Sequence, residues 1–125
     1  ICYEIAFGSE QLHAFPEANL LINLSNDAWF GDSIAPHQHL QITRMRAIET
    51  GRPIIRATNN GISAFINHKG KVMKKSGQFN YETLQHSVYP RSGSTLYVAL
   101  GDTPVLLLSS FLILYVIRKK LLTSK

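Results

Sequence analysis

Residues 103–117, TPVLLLSSFLILYVI, run for fifteen positions without a charge, and no other feature of the chain restricts its folding as much. Asp102 or Thr103 suits a helix cap and Pro104 a first helical turn. As a helix the run spans roughly 22 Å at ~1.5 Å per residue, short of the ~30 Å hydrocarbon core of a bilayer. Length therefore leaves a buried core helix open. Three features favour a membrane. The run is apolar on every face, whereas a half-exposed surface helix carries one apolar stripe. It ends in Arg118-Lys119-Lys120, the flank expected at a cytoplasmic boundary. It also follows a polar connection, at the C-terminal end of the sequence. The expectation is a transmembrane helix over 103–117, a connection over 96–102 and a basic cytoplasmic tail over 118–125. The residues before it then form a domain on the opposite side of the membrane.

That domain, residues 1–95, reads as mixed α/β. Ile1–Phe15 has weak helical periodicity interrupted by Gly8. Leu20–Leu24 is a short apolar run before Ser25-Asn26-Asp27, with the length and flanks of a buried strand. Ala28–Pro36 is a loop. A helix follows, with Pro36 in its first turn, an apolar face of Leu40, Ile42, Met45, Ala47 and Ile48, and Gly51 as its stop. Pro53–Thr58 reads as a strand, Asn59-Asn60-Gly61 as a turn and Ile62–Asn67 as the returning strand. A second turn at His68–Lys71 leads to one or two further short strands within Val72–Val88.

Composition narrows the function classes. An apolar fraction of 45% in 125 residues suits one modest folded domain and argues against disorder. The net charge of +5 is concentrated at the end: without Arg118, Lys119, Lys120 and Lys125, nine basic residues face eight acidic ones. A nucleic-acid surface needs a basic stripe. Lys69, Lys71, Lys74 and Lys75 read instead as a hairpin with solvated lysines, so no nucleic-acid partner is expected. A single cysteine, Cys2, excludes an internal disulfide and a cysteine-based zinc cluster. The sequence begins with Ile1 rather than methionine, which suggests a piece of a longer protein.

Cys2 is a nucleophile if a helix N-terminus stabilises its thiolate, and an apolar Ile1 before it fits the end of a strand. In such an elbow the backbone N–H of Tyr3 is placed to donate to an oxyanion. Glu4 could orient a base or an incoming amine. The residues by themselves leave open an inert buried thiol and a Glu4 that only meets a helix dipole. Trp29 and Phe30, in a loop after a strand, suit the lining of a pocket as well as a plug over a core edge. His37 and His39, two apart on a helix, face different ways, and no carboxylate stands at ligand spacing, so no metal is expected. His13, His68 and His86 read as surface residues, and Arg44, Arg46 and Arg52 as solvated or paired.

ICYEIAF, followed by LLINLSNDAWFGDSIAPHQHLQITRMRAIETGRPIIRATNNGISAFINHKGKV, resembles the C-terminal part of the bacterial apolipoprotein N-acyltransferases, a membrane-embedded family of the nitrilase (carbon–nitrogen hydrolase) superfamily. C-Y-E with S-N-D-A-W-F-G is specific to that family. R-A-x-E-x-G-R-P with R-A-x-N-N-G-x-S is more widely nitrilase-like. The resemblance implies the C-terminal half of an α-β-β-α sandwich followed by the transmembrane helix. It implies a Glu-Lys-Cys triad in which Cys2 is the nucleophile, while the Glu and Lys would lie upstream of this chain. Tyr3 and Glu4 match residues beside the nucleophile, and Trp29 matches an aromatic near the active-site entrance. The implied reaction moves an acyl group from a phospholipid, through a Cys thioester, to the α-amine of the N-terminal diacylglyceryl-cysteine of an apolipoprotein. It needs no cofactor. The implied location is the bacterial inner membrane, with the catalytic domain periplasmic and the C-terminus cytoplasmic. The chain by itself is expected to be inactive. Two other readings remain: a soluble nitrilase-type amidase with a buried C-terminal helix, and a membrane-anchored domain without catalysis.

Overall fold

The computed structural model describes residues 3–123, with side chains through residue 121. Their centre is a four-stranded sheet of β1 (Leu21–Ser25), β2 (Ile54–Thr58), β3 (Ala64–Ile66) and β4 (Val72–Lys75), in that spatial order. β1 and β2 run parallel, with Leu21 opposite Ile54 and Ser25 opposite Thr58. β2–β3 and β3–β4 are antiparallel. A parallel pair needs a crossover, and the 16-residue helix Ala35–Thr50 supplies it. The short helix Gly8–Gln11 is α1, and this crossover helix is α2. Pro36 lies in its first turn, and Gly51 ends it in the left-handed region at φ 66°, where a residue without a Cβ carries no penalty.

Strand side chains alternate between faces. Asn23, Ser25, Ile54, Arg56, Ala64 and Ile66 are buried on the face that α2 covers, where Leu40 and Ala47 join the core with Ile5 and Ile62. On the other face Ile22 and Leu24 are 65% and 53% exposed. One side of the sheet is thus a finished core and the other an open apolar surface.

Several expectations need correction. Residues 3–14 do not form one helix but a 3-10 turn (Tyr3–Ala6), α1 and a second 3-10 turn (Leu12–Ala14). Their backbone is held from outside: the Arg46 guanidinium donates to the carbonyls of Ile5 and Ala6. On α2, Met45 and Ile48 are exposed, whereas His39, Thr43 and Thr50 are buried beside Leu40 and Ala47. The two threonines donate to carbonyls one turn back, His39 and Arg46 respectively, and so carry no unpaired hydroxyl inward. As expected for residues 72–88, at least one strand follows the turn at 68–71, and among the described residues it is β4 alone. Residues 77–94 run without regular structure and mostly exposed. Within the expected connection, Leu96–Leu100 forms a short helix, α3, whose first turn is capped by Thr95 Oγ1 accepting from the Val98 N–H at 3.1 Å.

The final helix, α4, runs Thr103–Thr123, past the Arg-Lys-Lys cluster where the span was expected to end. Lysine, arginine and leucine are good helix formers, and cations near a C-terminus suit the helix dipole. From Val105 to Leu121 its large apolar side chains are exposed on every side. Among the described residues, no helix is long and apolar enough to cross a membrane, so the expected transmembrane span over 103–117 is not met by this helix.

Arg52 ties the outer segments to the sheet. It is buried and donates through Nε to the carbonyl of Ala18 at 2.6 Å and through Nη2 to that of Gly93 at 2.7 Å, with its cation over the Phe15 ring. Replacing it removes these charge-assisted bonds at half-buried carbonyls and leaves a gap where the guanidinium was buried. Arg52→Ala is expected to destabilise the folded domain by about 3 kcal/mol, read as a lowered melting temperature of the full-length protein. Arg52→Lys rescues little of this, because an ammonium cannot reproduce the guanidinium fork.

Candidate active site

The C-terminal ends of parallel strands are where an α/β sheet opens a crevice. Here β1 ends at Ser25 and β2 at Thr58, and their polar extensions are joined: Asn59 Nδ2 donates to Asn26 Oδ1 at 2.7 Å, and the Asp27 N–H donates to Asn59 Oδ1 at 3.1 Å. Beneath this rim lies a buried polar network. Asn23, Ser25 and Asp27 occupy alternate positions and therefore share one face of the strand and its extension. The Asp27 carboxylate, 1% exposed, accepts from Ser25 Oγ at 2.6 Å, from His39 Nδ1 at 3.0 Å and from Arg56 Nη2 at 2.6 Å. Arg56, also 1% exposed, donates through its other terminal nitrogen to Asn23 Oδ1. Gly61 lies so close to the carboxylate that any Cβ there would run into it.

Burial is the strongest influence on the Asp27 carboxyl and opposes ionisation. The hydrogen bond from His39, then that from Ser25, then the charges of Arg56 and His39 together outweigh it and bring the carboxyl down to about 2. An ionised carboxylate only accepts, so His39 Nδ1 carries the proton of that bond.

The expected site residues gather unevenly around this network. Cys2 lies outside the described residues. Tyr3, which follows it, opens the 3-10 turn with its ring centroid 6.1 Å from that of His39 and 6.1 Å from that of Phe7. Phe30 meets His39 edge-on at 6.2 Å. His39 is therefore the point that Tyr3 and Phe30 share. Glu4 is exposed, and a hydrogen bond from its own backbone N–H lowers its carboxyl below the ordinary value. Trp29 stands 85% exposed on the short turn Ala28–Phe30, reaching outward rather than plugging the core. Beside that turn, the Gln78 side-chain amide donates to the Gly31 carbonyl at 3.1 Å and brings the 77–82 segment to the same rim. Among the described residues, no three His, Cys, Asp or Glu side chains converge as a metal site would require.

Sequence reasoning missed Asn23, Ser25, Asp27, His39 and Arg56. A signal was present. LLINLSND places polar residues at every second position of an apolar run, and PIIRAT puts an arginine inside another. A polar file on the inward face of a central strand requires buried partners.

The match to the carbon–nitrogen hydrolase family model covers residues 1–95. The chain belongs to the carbon–nitrogen hydrolase family. It is also similar to curated relatives named apolipoprotein N-acyltransferase. It is 50% identical to that of Haemophilus influenzae over 115 residues, 91% of this chain and 22% of the relative. It is 47% identical to that of Nitrosomonas europaea over 114 residues, 91% of this chain and 23% of the relative. The relative from Pasteurella multocida is 50% identical over 116 residues, 91% and 22% of the two chains. The chain thus spans about a fifth of the length of these relatives.

The network predicts a definite pH response. Because the Asp27 carboxyl is lower in the fold than its ordinary 3.8, its contribution is complete above that value and is lost as pH falls through about 2. The shift corresponds to about 2 kcal/mol. Asp27→Asn is expected to flatten the acid limb of the stability–pH curve of the full-length protein. At neutral pH it is expected to cost about 3–5 kcal/mol, because Arg56 stays buried without its counter-charge. Gly61→Ala should destabilise by about 1–3 kcal/mol through overpacking against the same carboxylate. Both are read by denaturant or thermal unfolding.

Proposed function

We propose that the protein carrying this chain moves a fatty acyl group from a phospholipid to the α-amine of the N-terminal diacylglyceryl-cysteine of apolipoproteins. The observation that carries this reading is identity near 50%, over nine-tenths of the chain, to relatives bearing that enzyme's name. The placement of Tyr3 and Phe30 together at the C-terminal ends of β1 and β2 supports it.

In the first step the Cys2 thiolate bonds to the carbonyl carbon of a phospholipid ester. The tetrahedral oxyanion collapses, the carbon–oxygen bond breaks, and the lysophospholipid leaves as an alcohol with the proton taken from the thiol. In the second step the amine nitrogen bonds to the thioester carbonyl, the carbon–sulfur bond breaks, and the amine's proton is removed, regenerating the thiol. On the family pattern the proton carrier is a glutamate, and a lysine supports the oxyanion, both upstream of Cys2. The Tyr3 backbone N–H is the second oxyanion donor. Glu4 supports the site from the adjoining turn, and Trp29 and Phe30 meet the lipid substrates at the rim. No cofactor takes part.

Both substrates are lipids, so the site works at a bilayer surface. We place the site on the periplasmic side of the bacterial inner membrane, with α4 against the apolar layer of the bilayer. The apolar side chains exposed around the whole helix support this. The open face of the sheet suits the second sheet of an α-β-β-α sandwich, supplied from upstream.

Full-length protein incubated with phospholipid should show an acyl adduct on the Cys2 peptide by mass spectrometry, discharged on adding a diacylglyceryl-cysteine peptide. Cys2→Ser should abolish adduct and product. An active enzyme with an unmodified Cys2 would refute the reading. Residues 1–125 expressed by themselves should form no adduct, because the glutamate and lysine are missing.

A further inference from the structure

His39 is 3% exposed, and only one of its ring nitrogens is accounted for. Nδ1 donates to Asp27, while Nε2 is buried without a hydrogen-bond partner among the described residues. A buried polar atom left unpaired costs about 1–3 kcal/mol, so a native fold seldom retains one without use. The ring lies against Tyr3 and Phe30. Seven residues further along α2, and so on the same face, Arg46 holds the carbonyls of Ile5 and Ala6. One helix face thus grips the segment beginning at Tyr3 in two places.

We propose that His39 is a positioning residue of the acyl-transfer site. Held by Asp27 through Nδ1, it fixes Tyr3 with its ring and offers Nε2 as a buried hydrogen-bonding atom to the acyl-transfer site. The inference rests on the assignment of Cys2 as nucleophile. It adds that the oxyanion donor at Tyr3 is only as well placed as the imidazole against which it packs. Displacing such a group by about 1 Å can cost about 100-fold in rate.

The test uses full-length enzyme and a phospholipid of defined acyl chain. Single-turnover formation of the Cys2 thioester is measured per folded molecule, alongside the phospholipid KM and the melting temperature. His39→Asn keeps a donor for Asp27 and removes both the ring and Nε2. His39→Phe keeps a ring of similar size and removes both nitrogens. Each is expected to slow thioester formation by about 10- to 100-fold with little change in KM. Either variant forming thioester at the wild-type rate overturns the proposal, and so does a loss that disappears once the folded fraction is counted. If one variant does not fold, the other decides. Wild-type enzyme forming no thioester on Cys2 would instead overturn the assignment of the nucleophile, which separates the two failures.

Discussion

A carboxylate that is 1% exposed must be neutralised or surrounded, and the way Asp27 is surrounded organises this half of the domain. Its three partners come from three places: Ser25 from β1, Arg56 from β2 and His39 from α2. None is a near sequence neighbour except Ser25. Strand register alone would let α2 slide along the sheet, because apolar contacts are not directional. The carboxylate removes that freedom. A shift of one helical residue would turn His39 away by about 100° and leave a buried negative charge short of a donor. Breaking such a pair costs more than forming it gains, so the network acts more on the precision of the fold than on its net stability.

That precision extends to the beginning of the chain. Residues 3–14 have little structure of their own: a helix of four residues between two 3-10 turns cannot sustain itself, since helix nucleation is unfavourable and short helices are marginal in water. Their path is set by α2, through the Arg46 bonds to two carbonyls and the His39 ring beside Tyr3. The helix that joins two parallel strands is therefore also the template for the turn beside the proposed nucleophile. A catalytic turn held by a rigid helix is better placed than one held by its own backbone.

How much of this could be read beforehand depended on whether a signal was local. β1, α2 and β2 were legible because apolar runs, a first-turn proline and a C-terminal glycine are written into adjacent residues. The family, too, was legible from motifs in ICYEIAF and SNDAWFG. The buried face of α2 was misread: Met45 and Ile48 are the more apolar residues, yet they face outward while His39 and Thr43 face in. Hydrophobicity ranks side chains by transfer from water, and it cannot register that a polar group has a partner waiting in the fold. The same blindness set His39 aside with His37 as an unused pair, because Asp27 is twelve residues away and only the crossover brings it into reach.

The two apolar surfaces left open by the chain differ in kind, and the difference constrains what can cover each. On the sheet, Ile22 and Leu24 alternate with buried polar residues, so the exposed area is a one-sided, pleated surface. A second pleated layer about 10 Å away matches it, because both offer side chains with a period of two residues. On α4 the exposed side chains run around the whole circumference from Val105 to Leu121. One packing partner would cover one stripe and leave the remainder in water, at roughly 25 cal/mol for each Å² of apolar surface. Only surroundings that reach the helix from all sides relieve that cost, as other helices or lipid chains do. The domain thus asks for a specific solid neighbour on its sheet and an isotropic apolar one around its last helix.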